Sequence, residues 1–259
     1  MDLIKENDIV LIKLMNGEDF IIKAVKDGFL SVPYGTVFFD DLIGKEYGSK
    51  IYFRGRNKAG YVLKNSIIDY IFNIRRRTQI VYPKDIGYAM LYLDLKPGDT
   101  VVECGTGSGA TTAVLSRIVG KEGRVISYDL DIENSKIAEE NLKFLQNYNN
   151  VSFKTGNIQI GLEERDVEAF FLDVPEPENS VEKAINTLKH SGKICIVAPT
   201  FNQVQSVLEE VDKLKNTVDV QVWETMIRNY KINPERLRPE DKMVGHTTFM
   251  IFGTKVVRR

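Results

Sequence analysis

The stretch T-V-V-E-C-G-T-G-S-G-A-T-T-A-V-L-S-R-I-V, Thr100–Val119, decides the fold. TVVEC is a short, mostly apolar run of strand character. E-C-G-T-G-S-G, Glu103 through Gly109, is a glycine loop, and Ala110–Val119 reads as the helix it opens. Glycines at such a place permit a tight turn and let backbone N–H groups approach a ligand that a Cβ would fend off. The helix presents its positive end to a carboxylate or phosphate. Strand, loop and helix together point to a ligand-binding α/β sheet.

Working outward, Lys96-Pro97-Gly98-Asp99 is a turn signal before TVVEC, and strands and helices alternate after it. RVISYD (124–129) precedes a helix over Ile132–Gln146, and VSFKT (151–155) precedes a loop. AFFLDV (169–174) leads to a helix reaching about Lys189, and KICIVAP (193–199) to one over Gln203–Lys215. Continuously apolar strands alternating with helices predict a parallel sheet covered on both faces. The tail differs, because VDVQVWETMI (218–227) and TTFMIFGTKVV (247–257) are separated only by an irregular segment containing Arg and Pro. Without a crossover helix these two strands must pair antiparallel or lie at a sheet edge. The prediction is therefore a mostly parallel, seven-stranded Rossmann-like α/β sheet ending in an antiparallel hairpin, the arrangement of class I methyltransferases. A dinucleotide-binding fold would usually continue βαβ.

Upstream, IVLIKL, DFIIKAV, FLSV and KIYF are punctuated by Asn16-Gly17, Asp27-Gly28 and Tyr47-Gly48, with no helical period between them. They predict a small all-β N-terminal domain over 1–64. SIIDYIFNI and Asp85–Leu95 have helical patterning, giving a helical connection over 65–95 and the α/β domain over 96–259.

The 259 residues suffice for a full core. No stretch approaches the roughly 18 uninterrupted apolar residues of a membrane helix, and M-D-L-I-K-E-N-D-I-V lacks a signal-peptide pattern. The expectation is a soluble, cytoplasmic protein. Cys104 and Cys195 have no metal-ligand spacing, read as small buried hydrophobes, and suggest no metal site. A formal net charge of −1 argues against a generic nucleic-acid coat. The arginines are nevertheless clustered, at Arg54, Arg56 and Lys58, at Arg75–Arg77, at Arg236 and Arg238, and at Arg258–Arg259. Each cluster alone reads as a solvated face, but four on a near-neutral chain leave room for a polyanion partner.

As a string the glycine loop is ambiguous, since Gly105, Gly107 and Ala110 also satisfy the dinucleotide pattern. Asp129, ending the second strand, could hold a ribose hydroxyl pair in either fold. Three features favour S-adenosylmethionine over a nicotinamide. Glu103 before the loop would suit a ligand carrying an ammonium and a sulfonium group. The tail forms a hairpin. Asp173-Val174-Pro175-Glu176-Pro177 stands at the end of the fourth strand, where catalytic residues of open α/β sheets gather. The bland alternative for Asp173 is a helix cap.

R-R-T-Q-I-V-Y-P-K-D (Arg76–Asp85), L-K-P-G-D, V-x-E-x-G-T-G-S-G-A, D-V-P-E-P and a late H-T-T-F together resemble the tRNA (adenine-N1) methyltransferases that modify the T-loop. The resemblance runs from about Arg75 to Val257, and the arginine-led stretch is its most discriminating part. It implies a class I fold, S-adenosylmethionine as methyl donor, tRNA as substrate, adenine 58 and in some members 57 as target, and a homotetramer. It implies that Gly105, Thr106, Gly107, Ser108, Gly109 and Ala110 line the methionine part of the cofactor, with Gln79 and Tyr82 closing over the site and Tyr82 counted with Asp173 as catalytic. Asp129 would hold the ribose, Asn134, Asn157 and Ile158 would complete the cofactor site, and Asp173 would be the catalytic carboxylate. Asn157 and Asp129 depart from the acids usual in the family, Asp and Glu respectively, and Asn134 stands where a longer polar residue is common. Arg75, Arg76 and Arg77 are the candidate RNA contacts, and His246 reads as a structural histidine.

Adenine N1 is already nucleophilic, so methyl transfer needs alignment of an unstacked base more than a strong general base. A carboxylate accepting from the exocyclic N6–H would orient the ring and favour the developing cation. Pro175 and Pro177 would fix the backbone after it. The competing readings are a methyltransferase for protein isoaspartate or a small molecule, and a non-catalytic tRNA-binding subunit. The latter should have lost the loop or the carboxylate, and this chain keeps both.

Overall fold

The computed structural model describes residues 2–55, 58–145 and 148–257. The chain divides into two compact units, Met1–Arg75 with Glu140–Gln146, and Arg76–Glu139 with Asn147–Arg259. The division between the units falls after Arg75, within the segment 65–95 expected as a helical connection. Arg56, Arg258, Arg259 and the expected helix end at Gln146 lie outside the described residues.

The first unit holds β1 (Ile9–Leu14), β2 (Asp19–Lys23), β3 (Phe29–Val32), β4 (Gly35–Phe38), β5 (Lys50–Phe53) and β6 (Lys58–Lys64). Four of them form an antiparallel sheet in the order β2-β1-β6-β5, and β3 pairs with β4. Strands β4 and β6 escape a propensity reading because Gly35 opens one and Gly60 interrupts the other. Alternation along β5 turns Ile51 and Phe53 inward, where they join Val10, Ile12, Val37, Phe39 and Val62 in one apolar core. Helix α1 (Ile67–Asn73) starts at a reciprocal capping box between Ser66 and Asp69.

The second unit begins with α2 (Pro83–Leu93), β7 (Thr100–Cys104), α3 (Ala110–Val119) and β8 (Arg124–Asp129). Helix α4 (Ile132–Leu142) crosses the division between the units. Then follow β9 (Val151–Thr155), β10 (Val167–Leu172), α5 (Val181–Thr187), β11 (Leu188–Ala198), α6 (Phe201–Leu214) and β12 (Thr217–Trp223). The excursion between β12 and the last strand contains the short pair β13 (Tyr230–Lys231) and β14 (Arg238–Pro239), and β15 (Phe249–Lys255) closes the sheet.

The seven-stranded sheet has the order β12-β15-β11-β10-β7-β8-β9. Strands β7 to β11 run parallel to one another, and β15 is antiparallel to both β11 and β12. The expected class I arrangement with its terminal antiparallel strands is what the chain adopts. The expected helix to Lys189 stops earlier: α5 ends at Thr187, whose hydroxyl donates back to the Lys183 carbonyl, and buried Leu188 already belongs to β11. Phe170, Leu172, Ile194, Ile196 and Ile251 from the sheet pack with Val204, Val207 and Val211 of α6. Both cysteines are buried and free.

This topology creates one opening. The chain steps outward from β7 to β8 and β9, then returns to the other side of β7 with β10, so the connections diverge at the carboxyl ends of β7 and β10. Ligands of open α/β sheets bind at such a switch point.

Candidate active site

Asp173 and Gly105 meet at that divergence. The Asp173 N–H donates to the Cys104 carbonyl at 2.8 Å, continuing the β7–β10 pairing one residue past the strand. Gly105 has φ +100°, and a Cβ built on it would lie 1.8 Å from the Asp173 carbonyl oxygen. Only glycine fits, because a side chain would push the two strand ends apart. Asp173 therefore does not cap a helix; the next short 3-10 turn starts at Pro177 after Glu176.

Around this point lies a pocket of about 560 Å³, within the usual range for small-molecule sites. Its wall follows the sheet order. Asn157, Ile158 and Gln159 come from beyond β9, Asp129 and Leu130 from β8, and Gly105 through Ser108 with Ala110 from β7. Asp173 to Glu176 follow β10, Pro199 and Gln203 follow β11, and Thr78 to Val81 supply a further wall from the segment before α2.

Of the predicted site residues, Gln79, Gly105, Thr106, Gly107, Ser108, Ala110, Asp129, Asn134, Asn157, Ile158 and Asp173 are brought together here. Glu103, Gly109 and Tyr82 are not in the wall. Glu103 is wholly buried, and its Oε2 accepts from Thr112 and Ser127, each at 2.6 Å. Ser127 in turn bonds Thr106 at 2.6 Å, so Glu103 anchors the loop and α3 from behind. Its second oxygen, Oε1, is buried without a hydrogen-bond partner. Burial, against those two hydrogen bonds and with the charges of Asp173 and Asp129, raises its pKa to about 8. Glu103 thus stands behind the glycine loop and outside the pocket wall, whereas the sequence reading set it toward the ligand. Gly109 sits with φ +82° at the N-cap of α3, and Tyr82 occupies the N-cap of α2 with its carbonyl accepting from Asp85 and Ile86.

Asp129 is held in a fixed orientation. Oδ2 accepts from the Gly107 N–H at 2.9 Å, and Oδ1 from the Asp131 N–H at 2.9 Å and the Asn134 amide at 3.1 Å. Arg77 completes this corner: its guanidinium is 2.5 Å from Asp131 and 3.3 Å from the Asn134 oxygen, and its N–H donates to Ser108. Asn157 folds back so that its Oδ1 accepts from the Gln159 N–H at 2.9 Å, leaving the amide carbonyl a second lone pair. Burial, and then the charge of Asp129, push the Asp173 carboxyl up to about 6.

The arginine cluster does not act as one group. Arg77 serves the pocket, whereas Arg75 is tied through its main chain to Asn141 in both directions and its guanidinium lies 3.8 Å from Glu140. Sequence reasoning missed Thr78, Val81, Glu176, Pro199 and Gln203 in the wall. Their only sequence signal is position, each lying within a few residues of a strand end or of the Arg76–Asp85 stretch. The wall carries carboxylates and amides but no lysine, arginine or histidine among the described residues.

Residues 60–248 match the family model described as tRNA methyltransferase complex GCD14 subunit. Over 216 residues the chain is 32% identical to the tRNA (adenine(57)-N(1)/adenine(58)-N(1))-methyltransferase TrmI of Methanocaldococcus jannaschii, covering 73% of this chain and 76% of that one. The tRNA (adenine(58)-N(1))-methyltransferase TrmI of Thermus thermophilus is 28% identical over 93% of this chain and 94% of its own. Among solved structures, one described as a SAM-dependent O-methyltransferase from Thermotoga maritima has a TM-score of 0.93 at 42% identity, covering 100% and 96% of the two chains. The TrmI tRNA methyltransferase of Aquifex aeolicus has a TM-score of 0.84 at 35% identity, covering 99% and 100%.

Proposed function

The chain belongs to the tRNA methyltransferase complex GCD14 subunit family, and from that premise we propose that it methylates N1 of adenine 58 in the T-loop of tRNA with S-adenosylmethionine as donor. The observation that carries this is the junction of Gly105 with Asp173 in a wall that spans five strand ends. The β9, β8 and β7 part offers an amide, a fixed carboxylate and a glycine loop, a set that fits adenine, ribose and methionine in turn. The Gly105 cradle leaves no side chain between that loop and Asp173. The β10 and β11 part, Asp173 to Glu176 with Pro199 and Gln203, remains for the acceptor base.

When bound, S-adenosylmethionine supplies a methyl group activated by its sulfonium. Asp129, already oriented by Gly107 and Asn134, holds the ribose hydroxyls. Asn157 accepts from the cofactor's adenine amino group. Asp173 accepts from N6–H of the target adenine, which fixes the ring and favours positive charge developing over N1 and N6. A cationic ligand alongside would lower the raised proton affinity of Asp173. Arg75 and Arg76 remain the candidate RNA contacts; Arg77 is assigned instead to holding the Asp131–Asn134 corner.

The reading as an O-methyltransferase, suggested by the description of the Thermotoga relative, asks for a base able to take a proton from a hydroxyl. A wall without lysine or histidine among the described residues offers few groups to take that proton, which suits a nitrogen acceptor better. We further propose a cytoplasmic location, and a homotetramer supported by the apolar outer strand β12, on which Val218, Val220, Val222 and Trp223 are exposed.

The test is methyl transfer from labelled S-adenosylmethionine to tRNA transcripts in which adenines 57 and 58 are replaced singly and together. Incorporation should vanish when adenine 58 is replaced. Transfer to protein or a small hydroxyl compound, with none to tRNA, would sink the proposal.

A further inference from the structure

Residues 226–245 leave the sheet after β12 and return before β15, and the neck of this excursion is built from two adjacent pairs. Thr225 and Thr247 turn one way and donate to Asp85, Thr247 at 2.8 Å. Asp85 is wholly buried, and Lys84 Nζ reaches its Oδ1 at 2.8 Å, the Thr225 carbonyl at 2.7 Å and Thr247 Oγ1 at 2.6 Å. Glu224 and His246, the preceding residue in each case, turn the other way. His246 Nδ1 lies 2.5 Å from Glu224 Oε1, and Nε2 lies 2.8 Å from the Pro199 carbonyl oxygen. The imidazole also packs on Phe249, centroids 4.7 Å apart, and Phe249 on Phe201, the first residue of α6.

Both partners of the ring are acceptors without a proton to give. A neutral imidazole has one N–H and would turn its lone pair on a carbonyl or a carboxylate. Turning the ring over would bring carbon to both acceptors. Only the imidazolium satisfies the two contacts at once. Pro199 is a wall residue of the pocket on its β11 side, as is Gln203 one turn into the helix that follows.

We infer that His246 is a cationic positioning residue, donating from both ring nitrogens to Glu224 and Pro199 and so fixing the acceptor-side wall of the pocket. The inference rests on the reading that the β10–β11 part receives the target base. The charged groups facing the ring are Glu224, which favours the proton, and Lys84, which opposes it. The Glu224 hydrogen bond, then the Pro199 carbonyl, hold the ring's proton above the ordinary histidine range. Positioning is therefore present at low and neutral pH and is lost as pH rises through the ring's own midpoint.

The chain has two histidines, so ring nitrogen resonances of the intact protein are assigned with a single His190→Gln control. Both nitrogens of His246 should be protonated at pH 7, and the backbone amides of Thr200 and Gln203 should shift with the ring as it titrates. The kcat at saturating tRNA should fall on the alkaline side with the same midpoint. In Glu224→Gln the ring midpoint and the alkaline limb should move down together, by about one pH unit. His246→Gln should lower kcat about tenfold and flatten that limb, while S-adenosylhomocysteine affinity by calorimetry stays within about twofold, less than one tenfold step of binding free energy. A ring with one proton at pH 7, amides that ignore its titration, or an alkaline limb that stays put in Glu224→Gln would each overturn the inference. So would cofactor affinity falling in step with kcat, which marks general collapse of the pocket. Ring and amide readouts need no methyl transfer, so they decide the matter even if tRNA proves not to be the substrate.

Discussion

Asp173 stands in a pocket that disfavours its charge, and that makes two measurable consequences. Its carboxyl keeps its proton up to about pH 6 because burial and Asp129 both oppose ionisation. If the ionised form orients the target base, kcat/KM should decline below pH 6, since that parameter reports the free enzyme. Asp173→Asn keeps the shape but inverts half the hydrogen-bonding pattern, and should lose activity about 100-fold or more. For stability the sign is opposite. A carboxyl whose folded pKa is raised above the unfolded value of 3.8 penalises the fold fully above about 6 and not at all below the unfolded value. Asp173→Asn should thus be the more stable protein at pH 8, by at most about 3 kcal/mol, a ceiling that solvent screening lowers. The gap should close as urea melts are taken down to pH 4. A variant that is inactive and also less stable at pH 8 would assign Asp173 to the scaffold.

At the level of elements, the segment before α2 supplies the Thr78–Val81 wall and is held at both ends. Arg77 fixes one end through Asp131, Asn134 and Ser108, and buried Asp85 with Lys84 fixes the other through Thr225 and Thr247. Asp85→Ala leaves two threonine hydroxyls without their acceptor and the Lys84 ammonium without its counter-charge, and should cost about 3–5 kcal/mol. Denaturant melts should show that loss, whereas Arg77→Ala, an exposed pair, should cost about 1 kcal/mol or less and act mainly on cofactor affinity. Equal destabilisation by the two would remove the distinction. None of these partnerships is legible in the sequence, because Asp85 meets residues 140 and 162 positions away. The strands 100–104, 124–129 and 151–155 and helix 110–119 are legible to the residue, since apolar runs bounded by turns leave little choice. Glu103 misleads for the same reason. A carboxylate beside a glycine loop looks ligand-facing, and only the fold shows Thr112 and Ser127 waiting for it. Three consecutive arginines likewise look like one patch, until the chain sends Arg77 to Asp131 and Arg75 to Glu140.

For the whole molecule, the proposed tetramer turns on the outer edge of the large sheet. Edge strands are normally protected by lysines, prolines or covering elements, yet β12 reads T-V-D-V-Q-V-W, with no basic residue or proline. Its bulge at Asp219, left-handed at φ +53°, is bound by the Tyr92 hydroxyl, so the one irregularity is already fixed within the chain. Beyond it Met226, Ile227 and Ile232 continue the exposed apolar surface into the excursion, with Ile232 96% exposed. A patch of this kind signals an association surface, and a second copy offering the same strand supplies both pairing groups and apolar area through a two-fold contact. Light scattering after gel filtration should give four times the 29.5 kDa chain mass. The double substitution Val220→Lys, Val222→Lys should reduce the assembly while cofactor affinity holds, because neither residue lies in the pocket wall. Wild-type protein running as a monomer at micromolar concentration would end the tetramer proposal, and an unchanged mass in the lysine variant would move the interface elsewhere. If the assembly does come apart, tRNA methylation should fall further than cofactor binding. Arginine clusters that are separate along one chain of formal charge −1 would, in the proposed assembly, come to one tRNA from more than one copy.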